Sequence, residues 1–293
     1  MKALVARRII MLLAAAGLVI AAPARGHAQF VLYDNFSSGA IDPEKWANSS
    51  LEGNFSQPTA EFVRIVENGS LRLSLVSWGG TANNSGSIGS RQGLRIRQLG
   101  TLGGPGFITA LSAKITALNA EAEDCTGNPE TAFPARARAL IFGFFFNDGS
   151  GSPTSLIGNI AAFLQLQQDK DGSRSIAAFL LRCDVDSCST APVIAMTGNP
   201  VVFTTTWSLN TPLNLKIIWD DANGKFKFKV TNPATAATET KSIVYQGVTN
   251  AGPPTFFDTK QVRVQNTAEN CTASRKRAFM DALFDNVKVQ RLP

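Results

Sequence analysis

The sequence predicts an all-β protein, built as a two-layer antiparallel β-sandwich without substantial helix. Three observations support this prediction. Residues 213–230 alternate between apolar and polar positions with the period of two that a half-buried strand requires. Gly, Asn and Asp residues together with 14 prolines separate about a dozen short apolar runs. No long stretch shows the 3.6-residue period of an amphipathic helix, and this combination is typical of a sandwich of two sheets.

The clearest of these segments is 213–230, which predicts an antiparallel hairpin with one face in water. Its apolar residues share one parity in each half: Leu213, Leu215, Ile217 and Trp219, then Phe226, Phe228 and Val230. Three lysines at 225, 227 and 229 take the other parity of the second half. Asn223-Gly224 between the halves favours the positive φ angles of a tight turn. The lysines, with Lys216, indicate either a face that binds acidic polysaccharide or an ordinary solvated face.

The N-terminus predicts a secretory signal peptide at 1–28. Three basic residues precede an apolar run at 9–22, and Gly26-His27-Ala28 offers small residues at the cleavage positions. We therefore expect a secreted protein, periplasmic or extracellular, with a single domain at 29–293. A retained N-terminal anchor is the alternative, but the run is shorter than the roughly 20 residues that span a bilayer. No later stretch predicts a membrane span.

Processing changes both the charge and the available chemistry. The formal charge falls from +6 to +2, because the leader holds four basic residues and no acid. The basicity of the whole chain is thus weak support for a nucleic-acid partner, and none is expected. The one histidine, His27, lies in the leader. A mature chain without imidazole cannot use a histidine general base, a Ser-His-Asp triad or a histidine zinc ligand.

Four cysteines, at 125, 183, 188 and 271, predict two disulfides in an exported chain. Three pairings are possible. The proximity of Cys183 to Cys188 and the similar surroundings of Cys125 and Cys271 (Ala-Glu-Asp-Cys-Thr and Ala-Glu-Asn-Cys-Thr) favour those two pairs. A four-cysteine metal site is the alternative, but it lacks a paired C-x-x-C spacing.

The remaining strands follow in chain order. Residues 30–36 form the first, and 60–66 with 70–76 form a hairpin around Asn68-Gly69. A Gly- and Asn-rich surface loop is expected at 79–89, where it could rim a binding site. Further strands are expected at 93–98, 107–118, 135–146, 160–164, 176–180, 201–206, 241–245, 262–265 and 283–291. Residues 135–146 are apolar on both parities after Arg138, which indicates a central strand covered by a second layer. The similar segments 160–164 and 176–180 flank a turn and predict antiparallel neighbours.

Three motifs resemble the concanavalin A-like lectin and glucanase superfamily, whose members fold as jelly rolls. They are the opening segment 33–46 (Y-D-N-F-S-S-G, then I-D-P-E-K-W), the hairpin 213–230, and the closing strand 284–289 (F-D-N-V-K-V). Together they bracket nearly the whole mature chain. The resemblance implies that the first and last strands lie side by side. In members that bind a structural calcium ion, an aspartate of the closing strand is a common ligand, and the resemblance gives Asp285 that role here. Calcium takes six to eight oxygens, and Asp34 with backbone carbonyls near the first strand is expected to supply others. The parity that Asp285 shares with Val287 and Val289 predicts that its side chain points inward, where a carboxylate needs a partner; a hydrogen bond to a neighbouring turn is the alternative.

The catalytic signature of the family's glucanases is missing. Their paired carboxylates lie on an E-x-D-x-x-E strand, and no such string occurs here. Glu121 and Glu123 are the nearest acidic pair, with strand-compatible spacing, but a solvated strand end explains them equally simply. An enzyme is therefore not the favoured interpretation.

Five residues are the expected ligand-binding set. Trp78, beside the Gly-rich loop, is suited to stacking on a sugar ring, although packing is the alternative. Arg136, Arg138, Arg275 and Arg277 would approach one another if Cys125 pairs with Cys271, and together they would form an anion site.

These observations predict an exported, non-catalytic, lectin-like protein that binds a glycan or a cell-envelope polysaccharide. Two alternatives remain open at this point: a glycoside hydrolase or lyase of the same fold with an unrecognised carboxylate pair, and a structural or adhesive envelope protein.

Overall fold

The computed structural model describes residues 29–48, 52–53, 60–97, 108–128, 134–152, 154–186, 188, 200–245, 247–254 and 260–291. Sixteen strands run through these residues. They are β1 (Val31–Asp34), β2 (Trp46–Asn48), β3 (Glu52–Gly53), β4 (Ala60–Glu67), β5 (Ser70–Trp78), β6 (Ser87–Ile96), β7 (Ile108–Ala122), β8 (Arg136–Asn147), β9 (Asn159–Asp169), β10 (Arg174–Arg182), β11 (Val201–Val202), β12 (Leu213–Asp220), β13 (Lys225–Thr231), β14 (Thr238–Val244), β15 (Lys260–Glu269) and β16 (Arg277–Arg291). One turn of 3-10 helix, Asp221–Asn223, is the single helical element of the described chain.

The strands form two antiparallel sheets, which confirms the all-β class and the two-layer architecture. Sheet 1 has the order β14-β13-β12-β7-β16-β5-β4, with β1 paired to β16. Sheet 2 has the order β11-β10-β9-β8-β15-β6-β2, with β3 paired to β6. One apolar core contains side chains from both sheets, and we call the face of each sheet that points away from this core its outer face.

The hairpin expected at 213–230 forms as β12 and β13. Its alternate side chains Leu215, Ile217, Phe226 and Phe228 are buried in the common core, as the alternation predicts. The turn is longer than expected. The 3-10 turn precedes Gly224, which has a φ of 56°, whereas Asn223 is not among the residues with positive φ. The expectation for Gly224 is confirmed, and that for Asn223 is wrong, because the 3-10 turn reverses the chain before the glycine.

Several other expected pairings are confirmed. Asn68 and Gly69 both have positive φ and close the hairpin of β4 and β5. The segments 160–164 and 176–180 pair as antiparallel neighbours in β9 and β10. Strand β8 lies between β9 and β15, and after Arg138 its side chains are buried on both faces. Differences occur at element ends: residues 87–89 of the expected loop begin β6, and only Val201–Val202 of the expected 201–206 strand pair with β10.

The first and last strands lie side by side, as the resemblance implies. Strand β1 pairs antiparallel with β16, and Val31 lies opposite Val289. The Asp34 carboxylate fixes this end, because its Oδ2 accepts a 2.7 Å hydrogen bond from Trp46 Nε1 and its Oδ1 accepts one from the backbone N–H of Phe36 at 2.8 Å. The start of β1 and the end of β16 therefore lie close together.

The expected inward orientation of Asp285 is wrong. The register between β16 and β7 shifts between Asp285 and Lys288, and Asn286 takes a φ of 49°. A bulge of this kind inserts an extra residue and reverses the side-chain parity beyond it. Phe284 and Val287 point into the core, and Asp285 is left on the outer face of sheet 1, where it pairs with Lys114.

Both expected disulfides, Cys125–Cys271 and Cys183–Cys188, are present. Around the first, asparagine side chains fix the Gly-rich loop 79–86. Asn270 Oδ1 accepts the Gly80 N–H at 2.7 Å, and Asn84 Oδ1 accepts the Thr272 N–H at 2.7 Å. A Cβ atom on Gly79 would lie 1.8 Å from the carbonyl oxygen of Glu269, so the backbone approaches too closely there for any other residue.

Candidate functional site

The expected ligand-binding residues do not form one site. Trp78 lies half-buried at the end of β5, opposite Arg277 on the outer face of sheet 1. Arg136 and Arg138 lie on β8 in sheet 2. Although Cys125 and Cys271 are joined, the arginines lie on opposite sides of the sandwich. Arg277 is on the outer face of sheet 1, and Arg136 and Arg138 are on the outer face of sheet 2. Arg275 lies exposed in the turn before β16.

Glu121 and Glu123 bind Arg277 and do not face one another as a catalytic pair. Arg277 Nη2 lies 2.7 Å from Glu121 Oε2, and its Nε lies 3.3 Å from Glu123 Oε1. Glu123 also accepts the backbone N–H of Arg277 at 3.2 Å. Each carboxylate is thus paired with a cation at the end of β7. This arrangement agrees with the alternative given from the sequence, in which the two glutamates belong to a solvated strand end.

The two carboxylates expected to hold calcium are already bound to protein groups. Both oxygens of Asp34 accept hydrogen bonds, and Asp285 Oδ2 lies 2.5 Å from Lys114 Nζ. Calcium takes six to eight oxygen ligands. Across the described ranges, no three His, Cys, Asp or Glu side chains group in a way that could hold a metal ion. The described residues at this edge therefore do not fit a calcium site.

The outer face of sheet 2 carries a polar surface that extends across four neighbouring strands. Side chains at alternate positions of β6, β15, β8 and β9 lie in register across it, and one row runs Arg91, Gln265, Arg138 and Gln167. A second row places Arg136 beside Asp169. Gln167 and Thr267 are nearly buried, whereas Arg91, Gln265 and the two β8 arginines are partly exposed. This group is called the arginine–glutamine row below: Arg91, Arg136, Arg138, Gln165, Gln167, Asp169, Gln265 and Thr267.

Hydrogen bonds connect the β9 members of the row. Gln165 Nε2 donates to Gln167 Oε1 at 2.6 Å, and Gln167 Nε2 donates to the two Asp169 oxygens at 2.8 and 3.0 Å. Arg136 Nε binds the same carboxylate at 3.1 Å. Each amide is therefore held in one orientation, which prepares its remaining donor and acceptor positions for a ligand.

Arg138 lies at the centre of the row without a carboxylate partner. Its Nη2 donates to Thr267 Oγ1 at 2.7 Å, while its Nε has no hydrogen-bond partner in the described structure. Burial, followed by the nearby charge of Arg136, lowers the pKa of Arg138 to about 10, and Asp169 acts in the opposite direction. The surroundings therefore disfavour the charged guanidinium, and a bound anion would relieve this.

A small apolar cluster adjoins the row on the same face. It contains Leu140, Phe142, Phe144, Ala161 and Phe163, with Phe179 packed against it. Arg263 covers two of the rings, because its guanidinium carbon lies 4.5 Å from the ring centre of Phe142 and 5.3 Å from that of Phe163. The cation, and not the ring face, is therefore the surface that a ligand would meet there.

Most residues of this site were not predicted from the sequence. Gln165, Gln167, Gln265, Arg91 and Arg263 were not singled out. Their signal is the alternation of polar residues with core residues along each strand, as in Arg263 and Gln265 beside Val262 and Val264. Only the strand order shows that four such strands lie next to one another.

Within the described residues, no helix has the length and apolar character needed to cross a membrane.

Comparisons with known proteins give structural likenesses only. No protein-family model and no curated protein matches the chain. A candidate β-glucanase from Mycobacterium abscessus matches with a TM-score of 0.43 and 10% identity over 89% of this chain and 98% of its own. Winged bean acidic lectin in complex with methyl-α-D-galactose matches with a TM-score of 0.35 and 13% identity over 90% and 99%. Scytalido-glutamic peptidase matches with a TM-score of 0.36 and 11% identity over 64% and 76%. The lectin and glucanase group that the sequence resembles is thus represented, but likenesses this weak carry no argument about ligand or reaction.

Proposed function

We propose that this protein is exported and binds carbohydrate outside the cytoplasm, through the arginine–glutamine row on the outer face of sheet 2. The supporting observation is the ordered polar row itself. Amides and guanidiniums are held in fixed directions by Gln165, Gln167 and Asp169, and sugar hydroxyl groups both donate and accept hydrogen bonds.

We further propose that binding proceeds without catalysis and that the leader 1–28 is removed on export. The engagement of Glu121 and Glu123 by Arg277 supports a non-catalytic role, because neither carboxylate is left to act as acid or nucleophile. A cell-envelope polysaccharide is a natural ligand for an exported protein of this kind.

A glycan array probed with residues 29–293 tests the proposal. We expect binding to a defined group of glycans, and we expect Gln265→Ala, within the row, to weaken it about tenfold. Thr240→Ala, on the exposed edge strand β14, is the matched control and should leave binding unchanged. Absence of glycan binding by the folded wild-type protein would refute the proposal. Release of reducing sugar from a bound glycan would instead identify an enzyme.

A further inference from the structure

Arginines outnumber carboxylates among the described side chains on the outer face of sheet 2. Five arginines project from the alternate positions of β6, β8 and β15 that share this face: Arg91, Arg95, Arg136, Arg138 and Arg263. Among the described side chains of the row, the one carboxylate is that of Asp169. Glu269, at the end of β15, is fully buried and accepts the Cys125 and Ala135 N–H groups while Lys170 lies 3.2 Å away. The negative charge of Glu269 is therefore already balanced by these groups at the disulfide end of the sheet.

The distribution of contacts leaves Arg138 as the cation with most to gain from an added anion. Asp169 is bound by Arg136 and by Gln167, so its two oxygens face those groups. Arg138 donates a side-chain hydrogen bond to the neutral hydroxyl of Thr267, and its Nε atom is buried without a partner in the described chain. Arg138 as a whole is partly exposed, so a carboxylate or sulfate on the ligand could supply the anionic partner that this guanidinium lacks.

The spacing of the cations suits a polymer. Arg91 and Arg138 lie in one row on β6 and β8, with Gln265 of β15 between them. Because neighbouring strands are about 4.8 Å apart, the two arginines recur at a distance of about 10 Å, with an amide between them. A chain that repeats an acidic group, with hydroxyls between, matches guanidinium, amide and guanidinium in turn.

We propose that the ligand of the arginine–glutamine row is a polyanionic glycan, whose carboxylate or sulfate groups bind Arg91 and Arg138 while its hydroxyl groups bind Gln167 and Gln265. This inference rests on the proposed carbohydrate binding and specifies its chemical class. Single-stranded nucleic acid is also a polyanion, but its binding depends on aromatic rings that are free to stack with bases. Phe142 and Phe163 are buried here beneath Arg263.

Two pairs of polysaccharides test the inference with the full mature chain in calorimetry. Polygalacturonate is compared with its methyl ester, and dextran sulfate with dextran, so each pair differs only in the acidic group. We expect at least tenfold tighter binding to one acidic member than to its neutral counterpart, with affinity falling as salt is added. The pair that shows the preference identifies carboxylate or sulfate as the group recognised.

Two substitutions connect the preference to the row. Arg138→Gln and Arg91→Gln should each weaken binding of the acidic glycan by about tenfold or more. Lys229→Gln, on the outer face of sheet 1, removes the same charge and should change affinity by less than twofold. If Arg138→Gln does not fold, Arg91→Gln and the salt dependence of the wild type still decide the matter.

The outcomes separate this inference from the function on which it rests. Equal or tighter binding to the neutral members, unaffected by either arginine substitution, leaves carbohydrate binding in place and overturns the polyanionic ligand. Failure to bind any glycan overturns both. Tighter binding to single-stranded DNA than to every glycan also overturns the inference, because the row would then recognise phosphate.

Discussion

At the scale of single residues, Glu239 is the carboxylate whose ionisation most clearly supports the fold. It lies on β14 of sheet 1 and accepts four hydrogen bonds from the backbone and hydroxyl groups of Thr204 and Thr205, at 2.8–3.0 Å. These two residues follow β11 of sheet 2. Burial raises the pKa of Glu239, but the four donors outweigh it and lower the pKa to about 2. One ionised side chain thus ties an edge strand of one sheet to the chain that leaves the other.

This predicts a pH-dependent contribution to stability. The pKa of Glu239 is lower in the folded state than its ordinary value of 4.5, so its stabilisation is complete above pH 4.5 and is lost as the pH falls toward 2. At pH 7 we expect Glu239→Gln to lower the free energy of unfolding by about 1–2 kcal/mol. In urea titrations the difference between wild type and variant should narrow at pH 3.

Glu61→Gln provides the control, because Glu61 is exposed on the edge strand β4. Its effect at pH 7 should remain within about 0.5 kcal/mol. A Glu239→Gln difference that stays constant between pH 7 and pH 3 would contradict the proposed role of the ionised carboxylate.

At the scale of elements, the two disulfides differ in the length of chain that they close. Cys125 and Cys271 are 146 residues apart and join the end of β7 to the turn before β16, whereas Cys183 and Cys188 are 5 residues apart. In the chain-entropy model, the longer loop restricts the unfolded chain far more. We expect replacement of Cys125 and Cys271 by alanine to cost about 5 kcal/mol, and replacement of Cys183 and Cys188 to cost about 2 kcal/mol.

Guanidinium-induced unfolding of the two double variants measures this difference, and each serves as the control for the other. Equal losses would show that local packing, and not loop length, sets the contribution of these disulfides. A larger loss from the Cys183–Cys188 pair would contradict the expectation outright.

How far the sequence predicted each element depended on where its determinants lie. The hairpin of β12 and β13 was predictable because its alternation and its turn glycine are local. The orientation of Asp285 was not, because the bulge in β16 arises where this strand meets β7, and nothing in 283–291 alone marks the extra residue. The Gly-rich loop 79–86 was correctly placed at the surface, but its anchoring by Asn270 and Asn84 depends on the disulfide that brings distant segments together.

At the scale of the whole molecule, the candidate site was the part least accessible from sequence. The arginine–glutamine row draws on β6, β8, β9 and β15, and Arg91 and Gln265 are neighbours in space despite their separation along the chain. Each strand shows which of its side chains share a face, but only the sheet order shows which strands meet. Arg138 and Arg277 were expected from the sequence to lie in one site, but they lie on the outer faces of different sheets. A single strand does not show to which sheet it belongs, so this separation was not predictable.

The meeting of the chain ends makes a prediction about the molecule as a whole. Because β1 and β16 are antiparallel neighbours with Val31 opposite Val289, a short Gly-Ser linker can join the two ends without disturbing either sheet. New ends opened at Gly172, an exposed position with φ 81° and free space around it in the turn between β9 and β10, should leave a folded protein. We expect the near-ultraviolet circular dichroism of this permutant to match the wild type and its Tm to fall by no more than about 10 °C.

A second permutant provides the control. It has the same linker, but its new ends open after Lys114, in the middle of β7 between β12 and β16. This cut should abolish cooperative unfolding, because it divides a strand that pairs on both sides. Loss of structure in the Gly172 permutant would mean that the pairing of first and last strands is not the closure on which this sandwich depends.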